Sequence, residues 1–233
     1  MKLAKKIALK HLEDSVKDEA LRKKLTPAYA IGCKRVLLSN DYYPALQRAN
    51  AEVITEAIRE INETGIITAD GKYRAADAII LATGFHAAEG VLVYDVKGRN
   101  GYNLNDAWQD GAEAYLGTTI AGFPNFFLIV GPNTGLGHSS MIIMIEAQVH
   151  YVMECIKAIR KNNWKFIDVK SEAQKAYNDE LQHKLKQTVW QTGGCTSWYQ
   201  NRNGKNVALW PYFTFTFRRR TRKFEKEKYE AVR

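Results

Sequence analysis

No run of about 18 consecutive apolar residues occurs in this sequence, so it offers no membrane-spanning helix. The N-terminal stretch MKLAKKIALKHLEDSVKDEALRKKL is basic and periodic, yet it lacks a long apolar core and a small-residue cleavage site, and it is not read as a secretory signal. Cysteine is scarce. Cys33, Cys155 and Cys195 are far apart in sequence and odd in number. None forms a metal-like CxxC pair, so no metal site is expected, and a reducing, cytoplasmic setting fits. The glycines form neither a Walker loop nor a GxGxxG after a first strand, which leaves the commonest nucleotide cradles unrepresented. There is no internal repeat and no low-complexity segment.

What is present is enough apolar material for a sizeable core. Hydrophobic residues make up 45% of 233, which suits one large domain or two small ones. The net charge of +9 is concentrated in Lys2 to Lys24 and in Arg218 to Lys228. Such ends either attract phosphate or are a solvated helix face and a solvated tail. Neither end interleaves aromatics with its basic residues as a nucleic-acid stacking platform does, so no nucleic-acid partner is expected. A basic nucleic-acid binder stays as an alternative that rests on charge alone.

Residues 1–24 carry Leu3, Ile7, Leu12, Val16 and Leu21 at roughly helical spacing, which predicts an amphipathic helix. No capping residue precedes it, as expected for a chain entered in mid-element. Residues 25–50 are dense in turn formers and aromatics and predict an irregular packed loop. Short β signals at 52–55, 58–61, 65–68 and 72–74, with turns at 62–65 and 70–71, predict an antiparallel meander. Buried strands are predicted at Ala78–Ala82 and Phe126–Val130. Little regular pattern occupies 86–123 apart from 104–108. After Gly131-Pro132-Asn133-Thr134-Gly135-Leu136-Gly137-His138, Ser139 or Ser140 can cap a helix. Its apolar stripe would be Ile145, Val149, Val152, Ile156 and Ile159, and Asn162-Asn163 would stop it. A second helix is predicted from the capping box Ser171-x-x-Gln174, continuing through Ala173, Tyr177, Leu181 and Leu185. Trp190, Trp210, Tyr212 and Phe213 read as core. Strand, glycine-rich turn and helix over 126–160 would bring backbone N–H groups and a positive helix end to one place. Taken alone, that pattern suits either a cofactor edge or a plain tight turn.

Four stretches together resemble one family. They are LTPAYAIGCKRVLLSNDYYPALQR (25–48), ILATGF (80–85), GFPNFFLIVGPNTGLGHSSMIIMIEAQ (122–148) and SWYQNRNGKNVALWPYFTF (197–215). In this order they resemble the C-terminal half of class B flavoprotein monooxygenases, nearest the Baeyer–Villiger enzymes of the cyclohexanone and hydroxyacetophenone monooxygenase kind. The resemblance implies an α/β fold, incomplete in its two dinucleotide-binding domains. Residues 1–77 would be the C-terminal remnant of the NADPH domain, with the meander. Residues 78–217 would be the C-terminal part of the FAD domain, and 218–233 a basic tail. It also implies NADPH reduction of FAD, capture of O2 as a C4a-peroxyflavin, and insertion of one oxygen into a ketone, or into a nitrogen or sulfur centre. The family's GxGxxG fingerprints and FxGxxxHxxxW/P signature are absent. The resemblance therefore implies a missing N-terminal half as partner, weak or absent FAD and NADPH binding, and no activity alone. The alternative is a non-catalytic truncated remnant.

By the same resemblance, Lys34 meets the 2′-phosphate of NADPH, where a point charge on a flexible stem suits a dianion. Arg35 is the catalytic residue, its fixed fork stabilising negative charge on the flavin as it develops. Thr83, Gly84 and Phe85 mark the crossover between domains, and His86 stands where relatives carry Asp. Asn133, His138, Ser139 and Met141 lie along the flavin, with His138 either bonding the ring or capping the loop. Trp198, followed by Tyr199, closes the nicotinamide side with a large flat surface.

Overall fold

A computed structural model describes residues 2–85, 88 and 94–233. They form two compact units, Met1–Ile31 with Val36–Gly84, and Gly32–Arg35 with Phe85–Arg233.

In unit 1 the expected single helix is two, α1 (Lys2–Ser15) and α2 (Glu19–Leu25). Asp18 causes the break. Its backbone is extended and its carboxylate accepts the Ala20 N–H at 3.0 Å, capping a new helix. Leu12 and Val16 are buried, whereas Leu3 is 70% exposed. A short helix, α3 (Tyr42–Leu46), interrupts the irregular stretch 25–50. The meander is β1 (Ile58–Asn62), β2 (Gly65–Thr68) and β3 (Tyr73–Ala75), antiparallel in that order, and no strand forms at 52–55. Asn62 pairs with Gly65 across the first turn. In the second, Gly71 takes a φ of 83° that side chains resist.

The two buried strands expected at 78–82 and 126–130 do not form. Ile80 is 91% exposed, and Phe127 makes only an isolated bridge to Thr119. A continuous apolar run becomes a buried strand only when ladders flank it and both faces are covered. Among the described residues no strand pairs with either run. Leu37 and Leu38 of unit 1 are likewise exposed.

Unit 2 contains α4 (Leu104–Ala107), α5 (Met141–Asn162), β4 (Phe166–Val169), α6 (Ser171–Leu185), α7 (Val189–Thr192), α8 (Thr214–Arg220) and β5 (Tyr229–Val232). Ser140 starts α5, its Oγ accepting the Ile142 N–H, and left-handed Asn163 ends it. The buried face is Met144, Gln148, Tyr151 and Cys155, about one residue round from the expected stripe, and Val149 and Ile156 are exposed. Hydropathy misplaced the face because a glutamine lies at its centre. α6 starts and packs as expected, through Tyr177, Leu181 and Leu185, but no capping box forms. Gln174 Oε1 instead accepts the Ala121 N–H at 2.8 Å.

The end of the chain, expected as a basic tail, is folded into unit 2. β5 pairs antiparallel with β4, from Phe166↔Val232 to Val169↔Tyr229, and Phe217 and Tyr229 are buried. Trp210 is core as expected, whereas Phe213 is 67% exposed. Cys33 and Cys195, read above as cysteines of a reducing setting, are joined by a disulfide with Cα atoms 6.1 Å apart. Sequence distance hid the pair because the two cysteines stand 162 positions apart and only the fold brings them together. Among the described residues no helix is long and apolar enough to cross a membrane.

Candidate functional site

The framework of the site begins at Gln148, which is fully buried on α5. Its Nε2 donates to Gly117 O at 2.8 Å and Thr118 Oγ1 at 3.0 Å, and its Oε1 accepts the Val130 N–H at 2.9 Å. One side chain thus ties two loops to the helix. The loops cross closely, since a Cβ on Gly131 would stand 2.2 Å from Gly117 O. Gly131 is therefore needed for chain crossing, whatever else the turn does.

From Gly131 the turn is stitched to residues 206–210. The Asn133 and Gly135 N–H groups donate to Val207 O and Ala208 O, and Trp210 N–H donates to Gly135 O, each at 2.8 Å. Asn133 is completely buried, and its Nδ2 donates to Asn206 O at 2.9 Å and Leu209 O at 3.0 Å. It fixes the turn from behind. The N–H groups of Leu136 to Ser139, by contrast, donate to none of the described residues. They stand immediately ahead of the 22-residue helix α5, whose N-terminus carries partial positive charge.

This turn forms one wall of a cleft of about 540 Å³. Leu128, Ile129, Val130, Leu136 and Met141 line it, with Trp108 and Leu209. Trp198 contributes its indole, half exposed, and buried Tyr199 packs against it with ring centroids 4.4 Å apart. Arg35 supplies the cation, and among the described residues no carboxylate pairs with it. An uncompensated guanidinium beside an apolar cleft suits a flat ligand with a negative edge.

Of the residues singled out from sequence, Arg35, Met141 and Trp198 meet at this cleft, with Asn133 behind its turn. Lys34 is exposed in the same segment as Arg35. His138 and Ser139 are exposed in the turn that precedes α5, and Ser140 rather than Ser139 is the cap. Thr83 and Gly84 end unit 1, with Gly84 at φ 92°, and Phe85, 92% exposed, begins the second and longer segment of unit 2. His86 lies outside the described residues. Gln148 and the disulfide were missed. A glutamine inside an apolar helix stripe, and cysteines two residues before Arg35 and three before Trp198, were the available signals.

Comparison with known proteins gives a consistent answer. A Baeyer–Villiger monooxygenase of Pseudomonas aeruginosa is 49% identical over 233 residues, covering 100% of this chain and 44% of the relative. One from Streptomyces coelicolor is 43% identical over 97% of this chain and 44% of its own length. Among solved structures, OTEMO in complex with FAD and NADP superposes with a TM-score of 0.84 at 26% identity, over 99% of this chain and 44% of that one. No family model matches. The chain thus spans less than half the length of the relatives it matches. Identity along the full chain, the shared fold and the ordered motifs together place it among the class B flavoprotein monooxygenases of the Baeyer–Villiger type, as a counterpart of their C-terminal part.

Proposed function

We propose that this chain supplies the catalytic face of an NADPH- and FAD-dependent monooxygenase that inserts one oxygen of O2 into a ketone. The observation that carries the reading is the single cleft shared by Arg35, Met141 and Trp198. When bound, FAD reduced by NADPH supplies the oxygen-activating chemistry. The residues here fit that group. Apolar walls suit a flat ring, and the unengaged N–H groups of Leu136 to Ser139 with the α5 N-terminus suit an anionic edge. Arg35 holds fixed positive charge where negative charge develops, which lowers the barrier more than it strengthens ground-state binding. Lys34 selects NADPH over NADH through the 2′-phosphate, and Trp198 covers the nicotinamide side. Phe85, His138 and Ser139 complete the cofactor contacts of unit 2, and Thr83 and Gly84 keep the crossover role that the family resemblance implies. The chain has no pyrophosphate cradle of the GxGxxG type, so we infer weak cofactor affinity alone and a partner segment that brings it.

The test is complementation. Alone, the purified chain should be colourless and should not oxidise NADPH. Coexpressed with the complementary segment of the Pseudomonas relative, it should give a yellow protein and ketone-dependent ester formation. A colourless, inactive mixture of two folded segments would count against the reading. The exposed runs Val36–Leu38 and Ile79–Leu81 favour a second reading, a non-catalytic remnant. A cooperative melt of the isolated chain would reject it.

A further inference from the structure

We propose that Cys33 and Cys195 form a reversible redox clasp that holds the Lys34–Arg35 segment against the cleft wall. The proposal uses the functional reading above only for what Arg35 faces. The bond itself rests on separate observations.

Both arms of the clasp lead directly into the cleft. Arg35 is two residues beyond Cys33, Trp198 is three beyond Cys195, and both line the cavity. The first arm lies between α2 and α3, where no helix or strand forms among the described residues. The second arm is shaped to receive it. A Cβ on Gly193 would stand 2.7 Å from the Cys33 Cβ, so glycine at this position admits the close approach. The Cα separation of 6.1 Å lies within the range that disulfides span. The third cysteine is no competitor, since burial pushes the Cys155 thiol up to about 12.

Exposure sets the direction of attack. Cys33 is wholly buried, while Cys195 is partly exposed. To close, a Cys195 thiolate attacks a small disulfide such as oxidised glutathione and releases one thiol. The Cys33 thiolate then displaces the second thiol and forms the S–S bond. Two electrons and two protons pass from the cysteines to the small disulfide, which leaves as two thiols. To open, an external thiolate attacks the Cys195 sulfur, Cys33 departs as thiolate, and a second external thiol completes the reduction. In a reducing compartment the Arg35 segment is then released from the wall.

The experiment equilibrates the full chain in glutathione buffers of graded potential, then counts thiols after acid trapping and denaturation. One thiol is expected at the oxidising end and three at the reducing end, reversibly. Tryptic cleavage after Lys34 and Arg35 should be at least tenfold slower in the oxidised chain, and Cys195→Ser should abolish that difference. Three thiols at every potential, or equal cleavage rates in the two forms of the wild-type chain, would overturn the clasp. With the complementary segment present, oxidation should also change the kcat for ketone oxygenation severalfold. A responsive thiol count and cleavage rate with an unresponsive kcat would uphold the clasp and sink the assignment of Arg35 to the cofactor.

Discussion

At the residue scale, Arg35 and Gln148 do different work, and their variants should fail differently. Arg35 carries charge into the cleft but anchors no secondary structure. In the complemented enzyme, Arg35→Ala should lower kcat by about 100-fold, the usual effect of removing one group that stabilises developing negative charge. Its melting temperature should be unchanged. Lys34→Ala should instead raise the KM for NADPH by about tenfold, leaving NADH kinetics as they were. Steady-state kinetics with both nucleotides separate the two. Gln148 does not line the cleft, yet it satisfies Gly117 O, Thr118 Oγ1 and Val130 N–H inside the protein. Gln148→Ala strands those groups and should cost about 3 kcal/mol in urea unfolding, because buried polar groups without partners carry their full desolvation penalty. A loss below about 1 kcal/mol would mean the two loops are held by something else.

At the element scale, the turn before α5 and the α6–α8 contact are the parts open to test. Gly131→Ala would push a Cβ into Gly117 O, so the two loops must separate or the turn must shift. Destabilisation of about 3 kcal/mol is expected, at the upper end for an overpacked site. Arg220 of α8 donates to both carboxylate oxygens of Glu180 on α6, one of them at 3.1 Å, and it also lies over the Trp210 and Tyr212 rings. The Arg220 hydrogen bonds are the largest reason the Glu180 carboxyl is held below the usual carboxylate range. A depressed carboxylate stabilises the fold above its unfolded pKa, and that contribution is lost as pH falls through the lower, folded value. Glu180→Gln should therefore flatten the acid limb of a pH–stability profile. A variant that follows the wild-type curve between pH 5 and pH 2 would remove this contact from the account.

At the scale of the whole molecule, the apolar runs without partners decide behaviour. Unit 1 leaves Leu37, Leu38, Ile80 and Leu81 exposed, and unit 2 leaves Ile129 and Val130 half exposed. Exposed apolar segments with unpaired backbone are templates for association. The isolated chain should self-associate with rising concentration, by light scattering, and coexpression with the complementary segment of a relative should suppress this. Leu38→Lys with Ile80→Lys should reduce self-association and also weaken co-purification with that segment. Reduced self-association with undiminished co-purification would show that these runs are not where the segment docks.

The sequence by itself determined what depends on neighbours in the chain. The hairpin turn at Asn62–Gly65, a serine cap at 139 or 140, an asparagine stop at 162–163 and the Tyr177–Leu181–Leu185 face of α6 all follow from local backbone and side-chain chemistry. The ordered motifs also placed the family and brought Arg35, Met141 and Trp198 into one expectation. Only the tertiary structure decided which face of α5 is buried, since that turned on a polar glutamine whose four partners are 18 to 31 residues away. Only it made Gln174 a clamp on Ala121 rather than a cap, built the final residues into a strand beside β4, and joined Cys33 to Cys195. The strands expected at 78–82 and 126–130 failed for the same reason. Composition records that a segment can be buried, but a ladder needs a second strand, and whether one is at hand is a property of the folded assembly.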